Sequence, residues 1–361
     1  MRIVVNDIAA SSGGALTVLK SFHRYVRDHD QGNEWVFLLG SDVLEESPNI
    51  SMVLLPRVKA NWLKRIFFDL ISGRRIIASL GPDVVLSLQN TYTYGVGCPQ
   101  VVYVHQSLPF QKTKNFSLWR RDERQLAIYQ HLVGAIIKQS IRRADHVIVQ
   151  TKWMRAAILD QIGVAPNRVT AVPPDLDDLS RLQGKGTIDG RAFCYPTAEL
   201  PYKNNDCVYA ACRLLREQGT VDFEVSMTIA SPSPDPNVAT IGRIPREDVL
   251  KVLSSATLIF PSLIETYGLP LAEARALGRT VLAADLPYAR EALKGYGRAH
   301  FFDPASPKQL AELMARVLRG DLQEMNSEQR DRSPAQAEGI GGWAAVTRIA
   351  EALVPEGGRG G

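Results

Sequence analysis

The chain is poor in cysteine. Cys98, Cys194, Cys207 and Cys212 are the only four among 361 residues, in contexts with neither the paired spacing of a zinc site nor the density of a disulfide scaffold. They read as reduced thiols in a cytosol. No stretch reaches the roughly 18 uncharged apolar residues that a membrane span needs, and the opening Met1 to Asp7 carries charge where a signal peptide would be apolar. An exported or integral membrane protein is not expected. His-Glu-x-x-His, a Walker loop and a nucleophile elbow are all missing. Gly-x-Gly-x-x-Gly does not follow the first strand, and Gly184-x-Gly186 stands in a polar stretch, which argues against a dinucleotide oxidoreductase. Without a zinc finger, an RNA-binding aromatic motif or extreme basicity, nucleic acid is not an expected partner. Asn49-Ile50-Ser51 and Asn115-Phe116-Ser117 fit the glycosylation pattern, which a cytosolic chain would not use. Asp175-Leu176-Asp177 looks like a metal-binding pair, but its setting reads as solvated.

What remains is an ordinary globular composition, with 45% apolar residues, 22% charged, 27 Gly and 21 Pro. At about 150 residues per domain the length suggests two domains. Charge is divided unevenly between them: residues 1–172 carry 21 Lys and Arg against 13 Asp and Glu, a net +8, and the remainder is −4. Much of the excess lies in Arg57 to Arg75, with six basic residues and one acidic, and in Lys112 to Arg143, with eight and two. In the first segment Trp62, Leu63, Ile66, Phe67 and Leu70 form one helical stripe beside the basic residues. Such a stripe suits an anionic membrane surface. The plainer alternative is a surface helix whose stripe packs on its own core.

Short β-branched runs alternate with helical patterns throughout, the signature of parallel sheets with helical crossovers. Strands are expected at 3–5, 35–39, 52–55, 84–86, 101–104, 146–149 and 169–172, then at 192–195, 223–229, 258–260, 280–283 and 300–302. Pro173 to Gly190, with two prolines, four aspartates and three glycines, reads as a linker. Two Rossmann-like domains follow from this rhythm. Residues 321–342 are polar and Gly-rich, Trp343 to Leu353 resumes a helical pattern, and the Gly-rich end is expected to be disordered.

The most informative stretch runs from Pro261 to Gly278, PSLIETYGLPLAEARALG, and reads as strand, loop and helix. Pro270 suits the first helical turn and Gly278 the C-terminal cap. The amides of Thr266, Tyr267, Gly268 and Leu269 therefore converge on a helix N-terminus, where a phosphate would be favoured. Glu265 and Glu273 bracket that loop and could accept hydrogen bonds from sugar hydroxyls. Taken singly, Glu273 could merely complement the helix dipole and Glu265 be a solvated acid. Gly13 and Gly14 follow the first strand, where a glycine pair permits close approach to a bulky ligand. His105 closes the apolar run Val101 to Val104, at the strand end where open α/β sheets bind ligands, although a strand-end histidine can also be structural.

Glu265 and Glu273, separated by seven residues that include Gly268-Leu269-Pro270, resemble the Glu-x7-Glu signature of the family 4 retaining glycosyltransferases. Ala144 to Val149, Val172-Pro173-Pro174 and Trp343 are similar to further landmarks of that family in its usual order. The resemblance covers roughly residues 1–353 and implies the GT-B fold: α/β, two Rossmann-like domains with parallel sheets facing a central cleft, the C-terminal helix crossing back to the first. The implied boundaries are 1–175 (acceptor side), 176–190 (linker), 191–342 (donor side), 343–354 (helix) and 355–361 (tail). It further implies that Glu265 contacts the donor sugar, Glu273 the ribose hydroxyls and Lys203 the diphosphate, with Gly13-Gly14 over the diphosphate and acceptor and His105 near the transferred sugar. The family's diphosphate-binding arginine is replaced by Thr197, Ala198 and Glu199, leaving Arg243 as a candidate for the second charge.

The implied activity is retaining sugar transfer from a nucleoside diphosphate sugar to a glycan or lipid-linked glycan in bacterial polysaccharide assembly. No metal or other cofactor is expected, and the protein should be cytoplasmic, peripheral at the inner membrane face. An epimerase or phosphorylase of the same fold, or a non-catalytic sugar-binding module, is the alternative.

Overall fold

The computed structural model describes residues 1–10, 13–59, 61–175, 179, 182, 190–322 and 342–355. Thirteen strands are present among them, all parallel, in two sheets. The first comprises β1 (Arg2–Asp7), β2 (Glu34–Leu39), β3 (Ile50–Leu54), β4 (Val84–Ser87), β5 (Gln100–Val104), β6 (His146–Val149) and β7 (Val169–Ala171). The second comprises β8 (Ala192–Tyr195), β9 (Glu224–Met227), β10 (Val238–Thr240), β11 (Thr257–Phe260), β12 (Val281–Ala284) and β13 (Ala299–Phe302). Their orders, β3-β2-β1-β4-β5-β6-β7 and β10-β9-β8-β11-β12-β13, repeat one doubly wound pattern. Twelve of the strands match the expected runs. The thirteenth, β10, is three residues at a sheet edge just after Pro232, Pro234 and Pro236, whose turn signals mask it.

Parallel strands are covered on both faces, so their sequences read as continuous apolar runs. Alternation decides which face each residue serves. Ile3 and Val5 pack with Phe22, Trp35, Phe37 and Tyr103 on one face of the first sheet. Val4, Val36, Leu38 and Val85 pack with Phe68 and Ile77 on the other. In the second sheet one continuous core joins Phe193, Tyr195, Leu258, Phe260, Leu282 and Phe302.

The helix Gly342–Ala352 belongs to the first lobe's core although it follows the second lobe in sequence. Trp343 anchors it, with ring centroids 5.0 Å from Phe22 and 5.7 Å from Tyr103. Its indole N–H donates to Ser21 Oγ at 2.9 Å, and its backbone N–H donates to Asp175 Oδ2 at 2.9 Å. Asp175 is thus a helix cap rather than a free linker acid; Asp177 lies outside the described residues, as do most of the linker, Gly184 to Gly186, Ser11-Ser12, and the tail from 356.

The amphipathic segment is built from the α-turns Trp62–Phe67 and Gly73–Ser79 around a π-helical stretch, Phe68–Ser72. Phe68, Asp69, Gly73 and Ile77 face the sheet. Leu63, Phe67, Leu70 and Ile71 each expose half or more of their surface, so this face of the segment does not pack on the core, while Ile66 is half-buried. No helix among the described residues is long and apolar enough to cross a membrane.

Truncating Trp343 to Ala removes an almost fully buried aromatic and should destabilise the first lobe by about 3–5 kcal/mol. Urea unfolding followed by Tyr and Trp fluorescence checks this; a loss below about 1 kcal/mol would mean that the helix is a dispensable appendage.

Candidate active site

In a doubly wound sheet the strand connections diverge to opposite faces at one point, leaving a crevice at the carboxyl ends of the strands. Here those points fall between β1 and β4 and between β8 and β11. The segments leaving β1, β5, β8 and β11 carry, in turn, Gly13 and Gly14, His105, Lys203, and Glu265 to Leu269.

Lys203 ends a short 3₁₀ turn, Pro201–Lys203. Its ammonium is ion-paired with Glu265 Oε1, and both side chains are largely buried. Rings flank it, with Nζ 5.5 Å from the Tyr202 centroid and 5.9 Å from that of Phe260. Burial disfavours the ammonium, but the facing Glu265 carboxylate outweighs it and raises the pKa above the ordinary lysine value. The ammonium is therefore favoured while it faces Glu265. Next in sequence, Asn204 adopts φ 57°, a left-handed conformation uncommon outside glycine. Its side-chain amide donates to Pro304 O at 2.9 Å and to Pro261 O at 3.3 Å, tying the Lys203 turn to the end of β11.

After β11 the chain turns through Glu265-Thr266-Tyr267-Gly268 into the helix Leu269–Ala276. Gly268 is the cap residue at φ 79°, and a Cβ there would sit 3.0 Å from Leu271 Cδ1. With glycine at the cap and Pro270 in the first turn, no side chain of the cap occupies the helix N-terminus. Gly278, at φ 69°, lies just beyond the helix end, as its sequence context predicts. Glu273 is buried on this helix, its Oε1 2.5 Å from Arg246 Nη2. Arg243 lies exposed on the loop before the helix Arg246–Ser255, whose first residue, Arg246, is the cation paired with Glu273. Both acids of the motif thus have a cation partner.

The same turn bridges the lobes. Thr266 Oγ1 donates to the His105 carbonyl at 2.8 Å, and the Thr266 carbonyl accepts from Trp153 Nε1 at 3.0 Å and Thr151 Oγ1 at 3.2 Å. The His105 backbone N–H donates to Asn90 Oδ1 at 2.7 Å. Asn90, at φ 68°, is the other non-glycine residue of positive φ among the described residues. Both such asparagines therefore support site residues, where local backbone strain commonly collects. The covered Nδ1 of His105 has no hydrogen-bond partner among the described residues. Burial pushes the imidazole down to about 4, so near neutral pH it is an uncharged hydrogen-bonding group.

Of the residues marked in the sequence, Lys203, Glu265, Thr266 and His105 form one connected set, with Tyr267, Gly268 and Leu269 continuing the turn. Glu273 sits one helical turn behind, and Gly13 and Gly14 open the helix Gly13–His29 at the corresponding end of the first sheet. Arg246, Asn90, Asn204, Thr151 and Trp153 were not picked out in the sequence. Only Asn204, in Lys203-Asn204-Asn205, carried a local signal, asparagine's tolerance of left-handed backbone.

Two facing Rossmann-like lobes, each built on a parallel sheet, make the GT-B fold. Residues 12–178 match the model for Glycosyltransferase Family 4 and residues 200–336 that for Glycosyl transferases group 1, and the chain belongs to the family 4 glycosyltransferases. Among curated proteins it is similar to MMP alpha-(1->4)-mannosyltransferase of Mycolicibacterium hassiacum, with 22% identity over 235 residues. That match spans 62% of this chain and 57% of the relative, less than two thirds of its length. Similar solved structures include WaaG, a glycosyltransferase involved in lipopolysaccharide biosynthesis (13% identity, 97% of this chain and 99% of that one, TM-score 0.65). Anabaena HepE in complex with UDP-glucose (16%, 98% and 99%, TM-score 0.64) and a Thermosynechococcus elongatus sucrose-phosphate synthase (15%, 98% and 98%, TM-score 0.66) share the same fold.

The buried titratable groups give opposing pH slopes. His105, lowered from 6.5 to about 4 by burial, is neutral in the fold where the unfolded chain would bind a proton, so it makes stability rise with pH across that window. Asp69, raised from 3.8 to about 7 by burial despite donors from Thr91, Thr93 and Gln89, makes stability fall with pH. His105→Gln and Asp69→Asn should therefore tilt the dependence of the unfolding free energy from urea titration on pH in opposite directions between those limits, by at most about 1.4 kcal/mol per pH unit. Tilts of the same sign would contradict the assignment.

Proposed function

We propose that the protein is a retaining glycosyltransferase that moves a sugar from a nucleoside diphosphate sugar to a hydroxyl of a glycan, carried on a lipid in bacterial polysaccharide assembly. The observation that carries this reading is the Lys203–Glu265 pair, set at the turn that opens the Leu269–Ala276 helix and joined through Thr266 to His105 of the facing lobe.

The chemistry follows from charge. Breaking the bond from the anomeric carbon to the phosphate oxygen leaves negative charge on the β-phosphate and an oxocarbenium-like sugar. Lys203, the amides of Thr266 to Leu269 and the Gly13-Gly14 backbone are suited to stabilise the departing phosphate as preorganised donors. In this reading no divalent metal is required. Glu265 is freed to accept a sugar hydroxyl as Lys203 turns to the phosphate, and Glu273 or Arg246 holds the ribose. His105, uncharged, can hydrogen-bond a sugar hydroxyl without adding charge beside the developing cation. Transfer proceeds on the front face: the departing phosphate takes the acceptor proton as the acceptor oxygen bonds to carbon, which retains configuration. Closing the lobes excludes water, so transfer outruns hydrolysis.

The acceptor side rests on the first lobe. Its net positive charge and the exposed Leu63-Phe67-Leu70-Ile71 face, flanked by Lys59, Lys64, Arg65, Arg74 and Arg75, suit peripheral docking on an anionic membrane from the cytoplasmic side.

Incubation with UDP, GDP and ADP sugars, with and without EDTA, should release the nucleoside diphosphate from one donor class in both conditions, by slow hydrolysis where no acceptor is present. Lys203→Ala should cut that turnover by about 10²–10³ while leaving the fold intact, and turnover near the wild-type rate would remove Lys203 from the mechanism. Co-sedimentation with anionic vesicles should weaken as salt rises and in Phe67→Asp. Salt-independent association would refute the electrostatic docking.

A further inference from the structure

The contact between the lobes contains an exchanged helix cap. The helix Lys152–Ile162 begins after Thr151, a residue type that commonly caps its own helix, in the extended conformation (φ −142°, ψ 152°) that a cap requires. Yet the Thr151 hydroxyl makes no cap bond. It donates across the cleft to the Thr266 carbonyl, alongside the Trp153 indole N–H. The helix amides left open are taken by the opposite lobe: Lys152 N–H donates to Glu291 Oε1 at 2.6 Å and Trp153 N–H to Glu291 Oε2 at 2.9 Å. Glu291 follows β12 in the second lobe, on the helix Pro287–Ala292. One lobe lends its cap to the turn bearing Glu265, and the other returns a carboxylate to the positive end of the first lobe's helix.

We propose that Glu291 is a positioning residue, and that exchange of the cap between Thr151 and Glu291 couples lobe closure to the placement of Glu265. With the lobes together, Glu291 holds the helix terminus and Thr151 and Trp153 jointly fix the Thr266 carbonyl. With the lobes apart, Glu291 leaves with its own lobe and the Thr151 hydroxyl turns back onto the amide of Trp153 or Met154, the ordinary cap geometry. Neither arrangement leaves the terminus bare, so opening and closing remain close in energy. The two donors on Thr266 are nonetheless gained or lost together, next to Glu265 and Lys203. A carboxylate binds the helix terminus more strongly than a hydroxyl, which biases the exchange toward closure.

The consequence for turnover rests on the transfer reading above; the consequence for shape does not. Small-angle X-ray scattering of the full chain should show a larger radius of gyration for Glu291→Ala than for wild type, with Glu291→Gln, which keeps an acceptor oxygen, in between. An unchanged radius for Glu291→Ala would overturn the proposal. With whichever donor the wild type turns over, Glu291→Ala should lower kcat about tenfold while the affinity for UDP, GDP or ADP, whichever binds, stays within about twofold, and Glu291→Gln should recover most of the rate. Equal losses in kcat and nucleotide affinity would mean a merely structural role and refute positioning. The exchange itself is tested by a thermal-unfolding cycle: Thr151→Val and Glu291→Ala together should lower the midpoint by more than the sum of the single variants, because each residue covers for the other. Additive losses would overturn it. If Glu291→Ala opens the particle while wild type turns over none of the sugars, the coupling stands and the transfer reading falls.

Discussion

All thirteen strands among the described residues run parallel, and that constraint governs where chemistry can occur. A parallel strand must return by a crossover, so every loop that leaves a carboxyl end emerges on the same side of its sheet. The winding order then leaves a gap between β8 and β11 at that side. Lys203 and Glu265 come from the segments flanking this gap, which explains how residues 62 apart in sequence become an ion pair. The corresponding end of the first sheet presents Gly13, Gly14 and His105 by the same logic.

Precision at the site comes from backbone held in costly conformations by surrounding bonds. Asn204 and Asn90 sit at positive φ, and each has a side-chain amide that bonds a neighbouring segment. Gly268 avoids that cost altogether, but any side chain there would press on Leu271. The result is a turn whose amides are fixed in direction before a ligand arrives, the condition under which dipoles stabilise charge without reorganising.

The fold was largely legible because parallel, doubly covered strands read as short apolar runs, and twelve of the thirteen strands stood out in this way. β10 did not, since three residues between a proline cluster and Ile241-Gly242 carry no pattern of their own. The helical stripe through Leu63, Phe67 and Leu70 was found, but the buried face could not be foreseen. A π-helical stretch at Phe68–Ser72 changes the number of residues per turn, so a period of 3.6 no longer assigns Phe68 and Ile71 to their faces. The motif acids were visible as Glu-x7-Glu, whereas their setting was not. Arg246 is recruited by Glu273 from a helix that reads as ordinary surface. The contacts joining Thr266 to His105 and Glu291 to Trp153 span 161 and 138 residues, and no local pattern encodes such a distance.

Under the transfer reading, the electrostatic state of the site constrains how it would bind a diphosphate. Lys203 with Glu265, and Arg246 with Glu273, are matched pairs and present no net charge. An arriving diphosphate is met first by dipoles, the amides before Leu269 and the end of the helix, whose attraction is worth less than that of a free cation. Lys203 then stands between two anions. Glu265 raises its pKa before the exchange and the phosphate replaces Glu265 as the facing anion after it, so what is redistributed is the partner and not the charge. As the ammonium turns to phosphate, Glu265 loses its cation and, being largely buried, must recover hydrogen bonds from another donor. Under the transfer reading the hydroxyls of the donor sugar are the groups positioned to provide them. An isolated inorganic phosphate or pyrophosphate could draw Lys203 away but would leave Glu265 uncompensated, whereas a nucleotide sugar satisfies both members of the pair. Under that reading the ion pair acts as a selectivity element, favouring a ligand that brings phosphate and hydroxyls together over one that brings phosphate alone.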